Sequence, residues 1–161
     1  MTQPLLQPAA RVETGVGFWD RWYGPFMGGR ASIALLAMRL VVGAAFVMHG
    51  SGKIQHPFGW MPPEAPIPGA LQALAAVSEF GGGLAWIVGL LTPLACVGVL
   101  STMSVALSFH ISRGDPFVNP AGPGFELAMV YWTVAFLLLM LGPGRFSLDA
   151  MLFGARRPPR R

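Results

Sequence analysis

The chain has 161 residues, of which 53% are hydrophobic and only 11% are charged. A water-soluble domain carries about 25% charged residues, so this composition excludes an ordinary soluble protein and favours one surrounded by lipid. The net charge is +4. Much of it lies in arginines close to an apolar segment, which is typical of a membrane-flanking tail and not of a nucleic-acid-binding surface.

Four long apolar segments dominate the chain. Each approaches or exceeds the roughly 17–25 residues that a helix needs to cross the hydrocarbon layer. The pattern therefore predicts an all-α fold, an integral membrane four-helix bundle with up-down-up-down topology. The segments cover residues 31–54, 70–91, 94–111 and 125–141.

The parts of the chain outside the bundle have a different character. Residues 1–30 form a predicted cytoplasmic and interfacial segment, with aromatic and charged residues mixed between positions 18 and 26. Residues 31–142 form the transmembrane domain. Residues 143–161 are predicted to form a short amphipathic helix, N-capped by Ser147, and a basic tail.

An even number of spans places both termini on one side of the membrane. Arginines are concentrated in both terminal regions, so the positive-inside rule predicts that both termini are cytoplasmic. The two proline-rich loops, at residues 55–69 and 112–124, then face outward, where they could form a stiff lid.

A few ionisable residues lie inside the apolar segments, where a charge is costly and usually has a role. Helical spacing places Arg39 and Glu79 on inward faces at compatible depths, with His49 at the edge of the same region. We expect these three to form a polar cluster. Arg39 and Glu79 are either a buried ion pair that sets helix register or, with His49, part of a site for a quinone headgroup or a proton path.

Three further residues are candidate additions to this cluster, namely Lys53, His110 and Glu126. A haem held by His49 and His110 is not expected, because the chain has no haem-binding motif. No metal site is assigned, since the spacing of its histidines and carboxylates is not diagnostic. In the third segment, serines lie opposite the face that carries His110. They either bond back to their own helix or meet a partner protein.

Four glycines lie on the inward stripes of the first two segments. Small residues let membrane helices approach closely, which favours a packing role. The alternative is that they leave clearance for a flat ligand beside Glu79. These glycines are Gly43, Gly50, Gly82 and Gly83.

The order and spacing of these short motifs resemble the DoxX-like family of bacterial membrane proteins. The resemblance covers about residues 32–152 and implies a four-helix protein of the inner (plasma) membrane. The matching positions are Arg39-Leu40, Gly43, Phe46, His49-Gly50 and Lys53, then Glu79, Gly82-Gly83, Leu84, Gly89-Leu90 and Thr92, and finally Gly142-Pro143-Gly144-Arg145 and Ser147-Leu148-Asp149.

Some members of that family resemble small membrane subunits of quinone-linked oxidoreductases. The resemblance therefore implies a subunit of such a complex, with a quinone as the candidate cofactor and any catalysis performed only as part of the assembly. The expected partners are membrane lipids and other subunits or further copies, with no nucleic acid. The alternatives are a non-catalytic scaffold or assembly subunit and, as a third class, a small-solute transporter.

Overall fold

A computed structural model describes residues 26–64 and 66–154. These residues form five helices: α1 (Gly29–Lys53), α2 (Gly69–Val88), α3 (Thr92–Ser112), α4 (Glu126–Leu141) and α5 (Leu148–Phe153). The all-helical prediction is confirmed, and each predicted segment agrees with its helix to within about three residues. The aromatic segment before Phe26 and the basic tail after Gly154 lie outside the described residues.

The first four helices pack in sequence order, α1 on α2, α2 on α3 and α3 on α4. The bundle closes through Tyr131 of α4, whose ring centroid lies 4.8 Å from that of Phe46 on α1. Contacts between α1 and α2 run antiparallel, because Arg39 meets Trp86 whereas Gly50 meets Phe80. The arrangement is the predicted up-down-up-down bundle.

The surface of the bundle is apolar, as expected for a protein surrounded by lipid. By length and composition, α1, α2 and α3 are each able to cross a membrane. Helix α4 has 16 residues and is therefore about 24 Å long, somewhat less than the roughly 30 Å of a bilayer's hydrocarbon core. The helix ends at Leu141 because Gly142 adopts a positive φ of 74° and the following Pro143 cannot continue a helix.

The predicted helix faces agree with the observed burial. In α1 the buried residues are Ser32, Leu35, Arg39, Gly43, Phe46 and Gly50. In α2 they are Gln72, Ala76, Glu79, Gly82, Gly83 and Trp86. Both sets repeat at helical spacing, so polar groups enter the interior alongside small and aromatic residues.

Glycines allow α1 and α2 to cross with their backbones almost in contact. A Cβ atom on Gly83 would lie 2.7 Å from the carbonyl oxygen of Gly43, and one on Gly50 would lie 2.5 Å from the backbone nitrogen of Phe80. Gly82 faces α3 instead, close to Val99. These positions hold no space for a flat ligand between the two helices.

The interior of α3 is the face that carries Cys96, Val99 and Met103. Its serines lie on the exposed side, and Ser101 and Ser108 donate hydrogen bonds to carbonyl oxygens four residues earlier. This bonding satisfies their hydroxyls within their own helix, which is the first of the two predicted alternatives.

Candidate functional site

Arg39 of α1 is buried, and its guanidinium group binds backbone carbonyls at the end of the bundle where α2 finishes. Its Nε donates to Trp86 O at 2.8 Å, its Nη2 to Ile87 O at 3.3 Å, and its Nη1 to Phe146 O at 3.0 Å and Pro143 O at 2.5 Å. The carbonyls of Trp86 and Ile87 lie at the C-terminal end of α2, where the helix dipole favours a cation. Arg39 thus joins α2 to the segment that follows α4.

Asp149 completes the same end of the bundle. Its Oδ1 accepts a hydrogen bond from Leu91 N at 2.8 Å and its Oδ2 accepts one from Thr92 N at 2.9 Å. Its own N–H donates to Gly89 O at 2.8 Å. The carboxylate therefore binds the N-terminus of α3 and holds the tight α2–α3 turn, in which both Gly89 and Leu91 have positive φ angles.

We call Arg39, Asp149 and the α2–α3 turn the basal clamp. It positions α5, whose first turn is capped by the predicted residue, since Ser147 Oγ accepts a hydrogen bond from Ala150 N. Reasoning from the sequence assigned no role to Asp149 beyond the family motif. A carboxylate in the first turn of the predicted α5 was the available signal, but its partners are 57 and 58 residues away in the chain.

Arg39, Glu79 and His49 do not form the expected cluster, and the ion pair between Arg39 and Glu79, one of the two roles considered for it, is absent because Arg39 binds backbone carbonyls and Glu79 binds Lys53. Gly50 lies beside Phe80, so Glu79 is level with the C-terminal part of α1. Arg39 is instead level with Trp86, seven residues further along α2 and about 10 Å from the level of Glu79. The two groups therefore belong to different ends of the bundle.

Glu79 pairs with Lys53, the last residue of α1. The Nζ atom lies 2.7 Å from Oε1 and 2.6 Å from Oε2, so the ammonium group binds both carboxylate oxygens. The Glu79 side chain is 4% exposed and that of Lys53 is 27% exposed. The pair thus connects the interior of the bundle with its outer surface.

The first proline-rich loop covers this pair. The ring of Trp60 lies over Lys53, with its centroid 4.4 Å from Nζ, which adds a cation–π attraction. Trp60 Nε1 in turn donates to the backbone oxygen of Gln72 at 2.9 Å. The first of the two predicted lid loops therefore covers α1 and α2 at the end of the bundle opposite the basal clamp, and we call its described residues, 54–64 and 66–68, the outer lid.

The Gln72 side chain fastens the outer lid from below. Its Oε1 accepts from Met61 N at 3.0 Å and its Nε2 donates to Ile67 O at 2.9 Å. Because Gln72 is buried in α2, these bonds hold both halves of the loop against the bundle.

His49 is exposed on the flank between α1 and α4. Its ring packs edge-on against Tyr131, with centroids 6.0 Å apart. It lies four residues, or about 6 Å, before Lys53 on α1. Within the described part of the chain its imidazole forms no hydrogen bond.

The structure does not bring the other two candidates into this cluster. His110 lies in the last turn of α3 and contacts Asp115, with 2.7 Å between His110 Nδ1 and Asp115 Oδ2. Glu126 is exposed at the start of α4, where the helix dipole favours an acidic group. Among residues 26–64 and 66–154, no group of three or more His, Cys, Asp or Glu is arranged to hold a metal ion.

Comparison with known proteins gives a consistent family assignment. The DoxX family model matches residues 34–111. The inner membrane protein YqjF of Escherichia coli is 30% identical over 126 residues, which is 74% of this chain and 92% of YqjF. An uncharacterized protein of Haemophilus influenzae is 27% identical over 121 residues, covering 74% of this chain and 90% of that protein. No solved structure matches. With its apolar helices and this similarity along most of its length, the chain belongs to the DoxX family of membrane proteins.

Proposed function

We propose that this chain is an integral inner-membrane subunit of a quinone-linked oxidoreductase complex, in which His49 and Tyr131 contact the quinone headgroup. The observation that carries the proposal is the exposed His49 imidazole, which lies in a membrane-spanning helix beside a phenol. The family resemblance to subunits of quinone-linked enzymes supports the same class.

The side chains of His49 and Tyr131, where α1 meets α4, are suited to bind a quinone headgroup. A quinone carbonyl oxygen accepts hydrogen bonds, and the imidazole N–H and the phenol O–H are both donors. His49 is exposed and Tyr131 is partly buried where α1 meets α4, so a lipid-soluble ring would meet the imidazole from the bilayer without entering the interior. His49 is 20 residues after the start of α1 and is thus about 30 Å along the helix, near the level of the outer headgroups.

Reduction of a quinone to a quinol takes up two electrons and two protons. The electrons would come from a redox cofactor in a partner subunit. Protons would reach His49 from the outer surface, where the partly exposed Lys53 lies one turn away on α1 and pairs with the buried Glu79. In this role the outer lid restricts the water around the pair to a narrow supply.

We also propose where the protein is located and how it is oriented in the membrane. The name of the E. coli relative supports the inner membrane. Arg30 and Arg145 are exposed at the end of the bundle that carries the basal clamp, whereas at the opposite end the exposed Arg113 is offset by the exposed Glu64 and Glu126. The positive-inside rule then assigns the clamp end, and both termini, to the cytoplasm.

The test uses the complex purified from native membranes in mild detergent. We expect His49→Gln to slow quinol-linked turnover on the order of a hundredfold, as for loss of a proton-transferring group. Tyr131→Phe should raise KM for the quinone with a smaller effect on turnover. Ser51→Ala, on the exposed side of the same helix, is the matched control. Unchanged turnover by His49→Gln in an intact complex contradicts the proposal.

A non-catalytic scaffold subunit is the second candidate. It is favoured by the basal clamp and the Lys53–Glu79 pair, because Arg39, Asp149 and Glu79 all have protein partners and hold helices together. In that case a larger partner should be recovered in stoichiometric amount, and His49→Gln should leave both recovery and turnover unchanged. The two candidates therefore give opposite results in the same experiment.

A further inference from the structure

We propose that α5 and its flanking arginines form an anchor that binds the anionic surface of the lipid bilayer. We call the exposed apolar side chains of this region the anchor patch. It consists of Phe146, Leu148, Met151 and Leu152, with Met151 72% exposed.

The basal clamp fixes the direction in which the anchor patch points. Asp149 is fully buried and binds the α2–α3 turn, so the side of α5 that carries it faces the bundle. Arg39 binds the carbonyl of Phe146 just before the helix. Residues Leu148, Met151 and Leu152 must then face away from the bundle, and the described helices do not cover them.

The position of α5 in the fold identifies what covers the patch. Helix α5 lies beside the beginnings of α1 and α3 and the ends of α2 and α4. Ends of apolar helices mark the boundary between hydrocarbon and headgroups, and a short helix with one apolar face lies in that boundary. The occupant is therefore the bilayer surface, with the apolar side chains entering the acyl region.

The charge at this end selects the headgroup. Arg145 and Arg30 are exposed there, and the one carboxylate that the structure describes in this region, Asp149, is buried. Basic groups beside a membrane segment attract anionic phospholipids, each contributing roughly a fivefold preference.

The test measures which lipid touches the patch. The full chain with Met151→Cys is labelled with a fluorophore, since the native Cys96 is fully buried, and is placed in phosphatidylcholine vesicles. Brominated phosphatidylcholine and brominated phosphatidylglycerol then quench the label in proportion to their local occupancy. We expect phosphatidylglycerol to be preferred several-fold at position 151.

Two controls separate the roles of the patch and the charge. Leu127→Cys, exposed beside Glu126 at the other end of the bundle, should show a preference near one. Arg30→Gln with Arg145→Gln should bring the preference at position 151 close to one. Arg145→Lys, which keeps the charge, should retain it.

Two results would overturn the inference. Equal quenching by both brominated lipids would show that the surface has no anionic preference. Absence of quenching by either lipid would show that protein covers the patch, whether the first 25 residues or a second copy. The measurement involves no turnover, so its failure is distinguishable from failure of the proposed oxidoreductase role.

Discussion

Lys53 Nζ lies within 2.7 Å of both carboxylate oxygens of Glu79, and the ring of Trp60 lies over it. The stability of a buried, ionised carboxylate with a single ammonium partner depends strongly on that partner. Removing one member of a buried pair leaves an uncompensated charge, whereas removing both is far less harmful.

Lys53→Met should therefore lower the free energy of unfolding by about 2–4 kcal/mol. The double variant Lys53→Met with Glu79→Leu should recover most of that loss. Reversible unfolding in detergent micelles measures both, and the four proteins form a double-mutant cycle. A coupling energy near zero would show that the pair does not hold α1 to α2.

Arg39→Lys should destabilise the bundle by about 2–3 kcal/mol although it keeps the charge. A lysine ammonium cannot reproduce the planar fork that reaches Trp86, Ile87, Pro143 and Phe146 together. Thermal unfolding in micelles gives the magnitude. Arg30→Lys, at an exposed position, is the control, and equal effects of the two changes would contradict the clamp.

Asp149→Asn should loosen the α2–α3 turn while leaving the rest of the bundle folded. The amide retains one acceptor oxygen, so one of the two N–H groups at Leu91 and Thr92 loses its partner, at a cost of about 1–2 kcal/mol. Hydrogen exchange at these two amides should accelerate relative to amides in the middle of α3. Unchanged protection at both amides would mean that Asp149 does not hold the turn.

Gly83→Ala should destabilise the crossing of α1 and α2 by about 1–3 kcal/mol, because its methyl group would meet the backbone of Gly43. Gly81 provides a matched control two residues away. A Cβ there would have its nearest neighbour at 3.9 Å, so Gly81→Ala should be nearly neutral. Similar unfolding energies for the two variants would refute close helix contact as the role of Gly83.

Gln72→Leu should open the outer lid without unfolding the bundle. The substitution removes the side-chain bonds to Met61 and Ile67 and keeps an apolar group of similar size. Glu79 should then react faster with a hydrophobic carbodiimide, measured by mass spectrometry of the labelled peptide. Gln55→Leu, at an exposed position in the same loop, should leave the rate unchanged.

The helices and their inward faces could be predicted from the sequence because hydrophobic length and helical periodicity are local properties. Ion pairing could not, since it depends on the register between helices, which the contact of Gly50 with Phe80 sets. His49 shows that helical periodicity predicts burial poorly for a residue at the edge of an inward stripe. It follows Arg39 by ten residues and so lies about 80° around the helix from it, far enough from the buried stripe to be exposed.

The basal clamp has a consequence for how the protein is made. Arg39 enters the membrane with the first helix, but two of its carbonyl partners lie 104 and 107 residues later in the chain. The α2–α3 turn likewise lacks the Asp149 carboxylate, 57 residues after Thr92, until that residue has been synthesised. Until those residues are made, the nascent chain therefore holds a guanidinium group without two of its carbonyl ligands, and the segment after α4 completes the environment of the first helix. A chain interrupted after α4 would retain four helices and lack the carboxylate that holds the α2–α3 turn.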